Sequence, residues 1–201
     1  MPSLLDGNAL FRGVYCWFGA NQGNAQQCGP KDGLLPDGWE WLAFTISGVL
    51  VVAAAGNDFR NRVAFPARHA DAIAVSACGT ENGLPANAYD RWTLSPDRGN
   101  SNAVYFANFS NEGIDGTAVD ITAPGAGVIS TVPGGRYGPM SGTSMACPAA
   151  VGAIARILSQ NTQILQMAPD RQRRDAIWHS ATGNLTQLGF SVVREGRGMV
   201  Q

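Results

Sequence analysis

The stretch Val49-Leu50-Val51-Val52-Ala53-Ala54-Ala55-Gly56-Asn57 decides how this sequence folds. Its apolar run is unbroken, begins with β-branched residues and stands between Gly48 and Gly56. A strand open to water on one face alternates apolar and polar residues. An unbroken run suits a central parallel strand covered on both faces. The chain repeats the theme on either side. Val14-Tyr15-Cys16-Trp17-Phe18 and Ala72-Ile73-Ala74-Val75-Ser76-Ala77 read as further buried strands, and residues 104–109 and 119–122 as two more. Helices are expected over 39–47, stopped by Gly48, and over 145–159, where small and apolar residues recur with little interruption. A third is expected over 170–180, after Pro169. Strands alternating with helices predict an α/β fold, a mostly parallel sheet with helices on both faces.

Composition narrows the function. The chain has 201 residues, a formal net charge of -1, 45% hydrophobic and 14% charged residues. That is one globular domain's worth of core, with no basic excess to bind nucleic acid or an anionic membrane. The first residues, Met1-Pro2-Ser3-Leu4-Leu5-Asp6-Gly7, lack the charged and apolar regions of a secretory signal. The most apolar run, 46–56, is far shorter than the ~20 residues of a spanning helix, so no membrane partner is expected. Cys16, Cys28, Cys78 and Cys147 form no CxxC pair, which disfavours zinc. Cys16 and Cys28 are close enough to close a short loop, and Cys78 and Cys147 read as buried thiols. Residues 21–37 read as a loop, and 80–102 as a long polar excursion on the surface. His69 and His179 are the only histidines, hence the only histidine candidates for a general base in this chain.

Gly142-Thr143-Ser144-Met145-Ala146-Cys147-Pro148 joins a glycine-rich turn to the small-residue helix. At a helix N-terminus the first N–H groups lack intrahelical partners, and the helix dipole favours negative charge. A serine there has the means to attack a carbonyl while its own N–H holds the oxyanion. The plainer alternative is that Ser144 caps the helix. Asn57, after the central strand, would lie at the crevice where open α/β sheets bind ligands, its amide a second oxyanion donor. The plainer alternative is a turn residue.

With these two segments in view, the sequence resembles the subtilisin-like serine peptidases, the peptidase S8 family. Five segments match in the family's order. They are Val51–Asn57; Phe65-Pro66-Ala67 with Ala72-Ile73-Ala74-Val75; Phe109-Ser110-Asn111 with Asp120-Ile121-Thr122-Ala123-Pro124-Gly125; Gly142–Pro148; and Gly196-Arg197-Gly198-Met199-Val200. The resemblance implies a three-layer sandwich and serine endopeptidase activity through an acyl-enzyme on Ser144, with Asn57 in the oxyanion hole. It implies that Trp17, Phe18 and Gly19 form the edge that pairs with extended substrate, where the family usually has Ser-Leu-Gly. Ala54, Ala55 and Gly56 would line the pocket for the residue before the cleaved bond. A polypeptide is the implied substrate and no cofactor is required. Calcium is a family option, with Asp120 as a weak candidate ligand beside Ala67, His69 and Ala72. The family is mostly secreted, which implies an extracytoplasmic location.

The family's triad runs Asp, His, Ser, and its first two members precede the substrate strand. No His-Gly-Thr segment occurs here, and Asp6 does not follow an apolar strand. His69 and His179 both follow the substrate strand. The chain is therefore expected to be the C-terminal part of a subtilase catalytic domain over 1–201, with its N-terminal part missing and a surface insertion around 80–102. Alone it is expected to be inactive, with an upstream fragment as the partner that supplies the Asp and His. The alternative is a non-catalytic subtilase-like binding or scaffold module. A nucleotide-binding domain is disfavoured by the lack of any GxGxxG or GxxxxGK[ST] after a strand.

Overall fold

The computed structural model describes residues 14–17, 47–81, 89–101 and 103–200, with only the backbone treated at 14–17 and 89–90. Strand β1 (Val14–Trp17) pairs in parallel with β2 (Leu50–Ala54), Cys16 opposite Val52. Strand β2 pairs in parallel with β3 (Ala72–Thr80), Val52 opposite Ile73. Strand β5 (Ile121–Pro124) joins β3 in parallel, and β4 (Val104–Phe106) runs antiparallel along the end of β3. The sheet is thus mostly parallel, as the apolar run at 49–55 predicts.

Alternate residues of β2 enter different cores, the strand period of two made visible. Leu50 and Val52 join a large cluster with Ile73, Val75 and the long helix α1 (Thr143–Gln160). Ala53 and Ala55 join a second cluster with Val63, Ala67, Ala74 and Val119. On α1, Ala146, Ala150, Ile154 and Leu158 repeat every four residues and are fully buried, one helix face laid on the sheet. Ile177 and Ala181 of α3 (Arg171–Thr182) extend the same core, behind the short α2 (Thr162–Leu165). Burying side chains of the Ile and Leu size contributes roughly 1.5–3 kcal/mol each, so this face holds α1 in place. The segment expected as a helix at 39–47 lies, but for Ser47, outside the described residues.

Two regions differ from expectation. Strands β6 (Val128–Val132) and β7 (Arg136–Met140) form an antiparallel hairpin leading into α1. Within 80–102, β3 runs on to Thr80, and Tyr89–Thr93 makes a short 3-10 helix. Thr93 and Ser95 are buried: the Thr93 and Tyr105 hydroxyls lie 2.7 Å apart, and Ser95 Oγ donates to the Phe106 carbonyl at 2.7 Å. The described part of the excursion therefore packs onto β4. After the short α4 (Val192–Glu195), the Gly196–Gly198 turn returns the chain to β5. Arg197 N–H donates to the Asp120 carbonyl at 2.8 Å, and Thr122 N–H to the Gly198 carbonyl at 3.0 Å.

Candidate active site

The C-terminal end of β2 and the N-terminus of α1 meet through one side chain. Asn57 Oδ1 accepts from the Thr143 backbone N–H at 2.8 Å and from the Thr143 hydroxyl at 2.9 Å. The same hydroxyl accepts from the Gly56 N–H at 3.2 Å. Asn57 therefore occupies one of the helix's open donors, the work Gly142 leaves undone, since that N-cap has no side chain. The arrangement also fixes the carboxamide. With Oδ1 committed to Thr143, Nδ2 is the end left over, and among the described residues it has no partner. In the sequence Thr143 stands out only as part of the Gly142–Pro148 motif; its bonds to Asn57 come from the fold.

Ser144 follows in the first turn of α1, half-exposed, where its N–H has no intrahelical acceptor. A Cβ placed on Gly142 would stand 3.6 Å from Asn57 Nδ2 and 3.7 Å from the Ser144 amide nitrogen. The two donors thus border one small space that glycine leaves open. Backbone and side-chain N–H groups converging at a helix N-terminus can hold developing negative charge on an oxygen.

The other expected residues are placed as follows. Trp17 ends β1; its side chain, Phe18 and Gly19 lie outside the described residues. Ala54 and Gly56 keep partial exposure, whereas Ala55 is enclosed in the smaller core cluster. His69 N–H donates to the Pro66 carbonyl at 2.9 Å and its Nδ1 accepts from Asp71 N–H at 3.2 Å. It sits just before Ala72, which pairs with Val51, at the opposite end of the sheet from Asn57. The four residue steps of extended chain from Val51 to Ala55 alone put about 13 Å between those levels. His179 lies exposed on α3. The structure brings Asn57, Thr143 and Ser144 together and brings neither histidine to them.

Cys78 is a buried free thiol, and burial pushes it up to about 12. Cys147 corrects the expectation of a second thiol: it is disulfide-bonded, to a partner outside the described side chains. The reason is its position. It is fully buried in the larger core cluster at the first turns of α1, Sγ 3.4 Å from the Val52 carbonyl oxygen, and Val52 stands on β2 opposite Cys16 of β1. The expected Cys16–Cys28 pair falls outside the described side chains.

Asp120 is arranged as a structural acid. Its Oδ2 accepts from the Ala74 N–H at 2.8 Å, and the His69 carbonyl, another candidate ligand, already accepts from the Ala72 N–H at 2.9 Å. Among the described residues no group of three or more His, Cys, Asp or Glu side chains gathers to hold a metal. One charged oxygen, half of it in use, is a poor calcium donor set. Burial raises the Asp120 carboxyl above its ordinary range, against the Ala74 N–H bond and the nearby Arg197 and Arg174. A raised folded pKa favours the native state in acid; that stability is lost as pH rises through the folded value. Asp120→Asn keeps an acceptor for Ala74. It is expected to melt above the wild type at pH 7, the gap closing as pH falls into the carboxylate range, in a Tm-against-pH series. A variant less stable at pH 7, with calcium stabilising only the wild type, would mark Asp120 as a ligand instead.

The model of the Subtilase family matches residues 24–198. Alkaline elastase YaB from Bacillus sp. (strain YaB) is 38% identical over 151 residues, 74% of this chain and 32% of that protein. Subtilisin BL from Lederbergia lenta is 37% identical over 117 residues, 58% of this chain and 34% of that protein. Among solved structures, Sphericase aligns with TM-score 0.54 and 26% identity, over 77% of this chain and 48% of its own. The S41 Psychrophilic Protease aligns with TM-score 0.53 and 30% identity over the same shares, 77% and 48%. The chain thus spans about a third of the length of those curated relatives.

Proposed function

The chain belongs to the subtilase family, and from that premise we propose that it carries the nucleophile and oxyanion half of a serine endopeptidase site. The observation that carries this reading is the Asn57–Thr143 link, which sets a free carboxamide Nδ2 and the Ser144 N–H around one space. In the proposed reaction Ser144 Oγ attacks the carbonyl carbon of a peptide bond. The carbonyl oxygen becomes an oxyanion held by Asn57 Nδ2 and the Ser144 N–H. The serine proton passes to a base and then to the leaving amine, giving an acyl-enzyme that water hydrolyses. On this reading neither His69, in the turn before β3, nor His179, exposed on α3, is that base. The triad Asp and His come from outside this chain, on an upstream segment or a complementing fragment, and the chain alone is inactive. Residues 1–201 then form part of a three-layer catalytic domain, with 80–102 as an insertion in it.

The substrate is a polypeptide, its extended backbone laid along the Trp17-Phe18-Gly19 edge. The residue before the cleaved bond enters beside Ala54, Gly56 and the main chain of Ala55, where small side chains leave room for a large apolar group. No cofactor is required. Proteolysis of this kind is placed outside the cytoplasm. Among the described residues no helix is long and apolar enough to cross a membrane.

A scaffold role is the second reading, favoured by the lack of the family's Asp and His segments in this sequence. It gives no physical reason for an asparagine held with its donor end free beside a serine N–H. The test is reconstitution. The chain is mixed with a fragment carrying the family's Asp and His segments and given a peptide nitroanilide with a large apolar residue before the amide. Hydrolysis by the mixture and by neither part alone is expected. A mixture that binds but never hydrolyses would favour the scaffold.

A further inference from the structure

Asn111 is fully buried, and no role in the site has yet been given to it. Its Oδ1 accepts from the Asp58 N–H at 2.8 Å. That bond settles which end of the carboxamide is which. Nδ2 donates to the Ala55 carbonyl at 3.2 Å, the Arg62 carbonyl at 3.0 Å and Asp58 Oδ2 at 3.0 Å. Two protons serve three acceptors, so one is shared. The Asn111 backbone N–H donates to the Gly56 carbonyl at 3.0 Å. Every residue bonded here except Arg62 lies within two positions of Asn57, on one side of it or the other.

The neighbours of Asn111 continue the clamp. The Phe109 and Ser110 carbonyls accept from the Phe59 and Arg60 N–H groups at 3.0 and 3.2 Å. Phe59 and Arg60 hold φ of 53° and 70°, left-handed backbone that bulky residues seldom adopt. The turn after Asn57 is thus held by its surroundings. Residues 107–111 are in turn tied to β3: Ala107 N–H donates to the Ala77 carbonyl at 3.0 Å, and Ser110 Oγ accepts from Ala77 N–H at 3.0 Å. Gly56, at φ 109°, has no Cβ because Asn111 Nδ2 fills that space.

We propose that Asn111 is a positioning residue for the oxyanion donor. Its carboxamide, braced on β3, fixes the 55–58 turn from behind while Thr143 holds Asn57 from in front. Only an amide of this length offers an acceptor to Asp58 N–H and donors to two carbonyls at once. Aspartate lacks the donors and faces the Asp58 carboxylate, and serine is too short. The proposal rests on the reading of Asn57 as an oxyanion donor.

The test uses Asn111→Asp and Asn111→Ser in the full 201-residue chain; the serine variant brings no buried charge and covers the case in which the aspartate variant fails to fold. In ¹⁵N-labelled protein the Asn57 side-chain NH₂ signals, assigned by their loss in Asn57→Asp, are expected to shift or broaden. Amide exchange at 56–58 should rise by about tenfold or more, while that of the α1 core at 150–158 holds. Folded variants with unchanged Asn57 signals and unchanged exchange at 56–58 would overturn the proposal. In the reconstituted enzyme kcat should fall by about tenfold or more with KM within about twofold, and that loss should vanish in an Asn57→Ala background. A loss that persists in full in that background would overturn it too. If no reconstituted mixture hydrolyses peptide, that failure belongs to the endopeptidase reading, and the Asn57 signals still decide the role of Asn111.

Discussion

Ser144→Ala is expected to lower peptide hydrolysis by the reconstituted enzyme by about 10⁶-fold in kcat, the scale of loss on removing the nucleophile from subtilisin. The substitution takes away the one atom proposed to form the acyl bond and leaves the rest of the site in place. Asn57 and Thr143 keep their mutual hydrogen bonds, because neither uses the Ser144 side chain. KM and Tm should therefore stay near the wild-type values. Steady-state rates on the apolar peptide nitroanilide, with a parallel melting curve, check both halves. A variant retaining a tenth of the activity would remove Ser144 from the role of nucleophile.

Asn57→Ala is expected to cost about 10²–10³-fold in kcat with little change in KM, the loss found on removing one oxyanion donor. The negative charge it would hold exists only in the transition state, so substrate binding has little to lose. This side chain also caps α1. Its removal leaves the Thr143 N–H and hydroxyl without their acceptor, at roughly 1 kcal/mol of stability. Asn57→Asp separates the two functions. The carboxylate still accepts from Thr143 and sits at a helix N-terminus that favours negative charge. It has no proton to donate and sets a charge beside the oxyanion. It should melt like the wild type or above it and yet lose at least as much rate as Asn57→Ala, as paired melting and kinetic measurements would record. Loss of rate and of stability in proportion across both variants would mean that Asn57 matters only as a cap.

Much of the fold was legible because its core elements carry strong apolar signals. The 49–55 run predicts a strand covered on both faces, and β2 feeds two clusters as that reading requires. The small residues after Ser144 predict a buried helix, and α1 lies on the sheet through Ala146, Ala150, Ile154 and Leu158. The β6–β7 hairpin was hidden for the converse reason. Most of its residues on both faces are exposed, Ile129 and Tyr137 by 73% and 76%, so no period of two marks it. The last residues of β3 were masked by Gly79 and Thr80, whose small or polar side chains do not continue an apolar run.

Ser144 and Asn57 could be proposed from the sequence because they stand next to elements with clear signals. Thr143 and Asn111 could not, because their work is done by hydrogen bonds across 86 and 53 positions of chain. A polar residue in a turn looks the same in sequence whether or not a distant backbone uses it. The oxidation of Cys147 was hidden likewise, since spacing along a chain says nothing of what faces a sulfur across a sheet.

The central claim is that Ser144 is a nucleophile whose oxyanion site is built and whose base comes from elsewhere. A fluorophosphonate probe tests it most directly, since it labels a serine only when the serine is activated. The chain is treated with the probe alone and together with the fragment carrying the Asp and His segments, and the adduct is mapped by mass spectrometry. The account predicts labelling of Ser144 in the mixture, none in either part alone, and none in the mixture containing Ser144→Ala. A stable mixture in which Ser144 stays unlabelled, or a label on another residue, would contradict it.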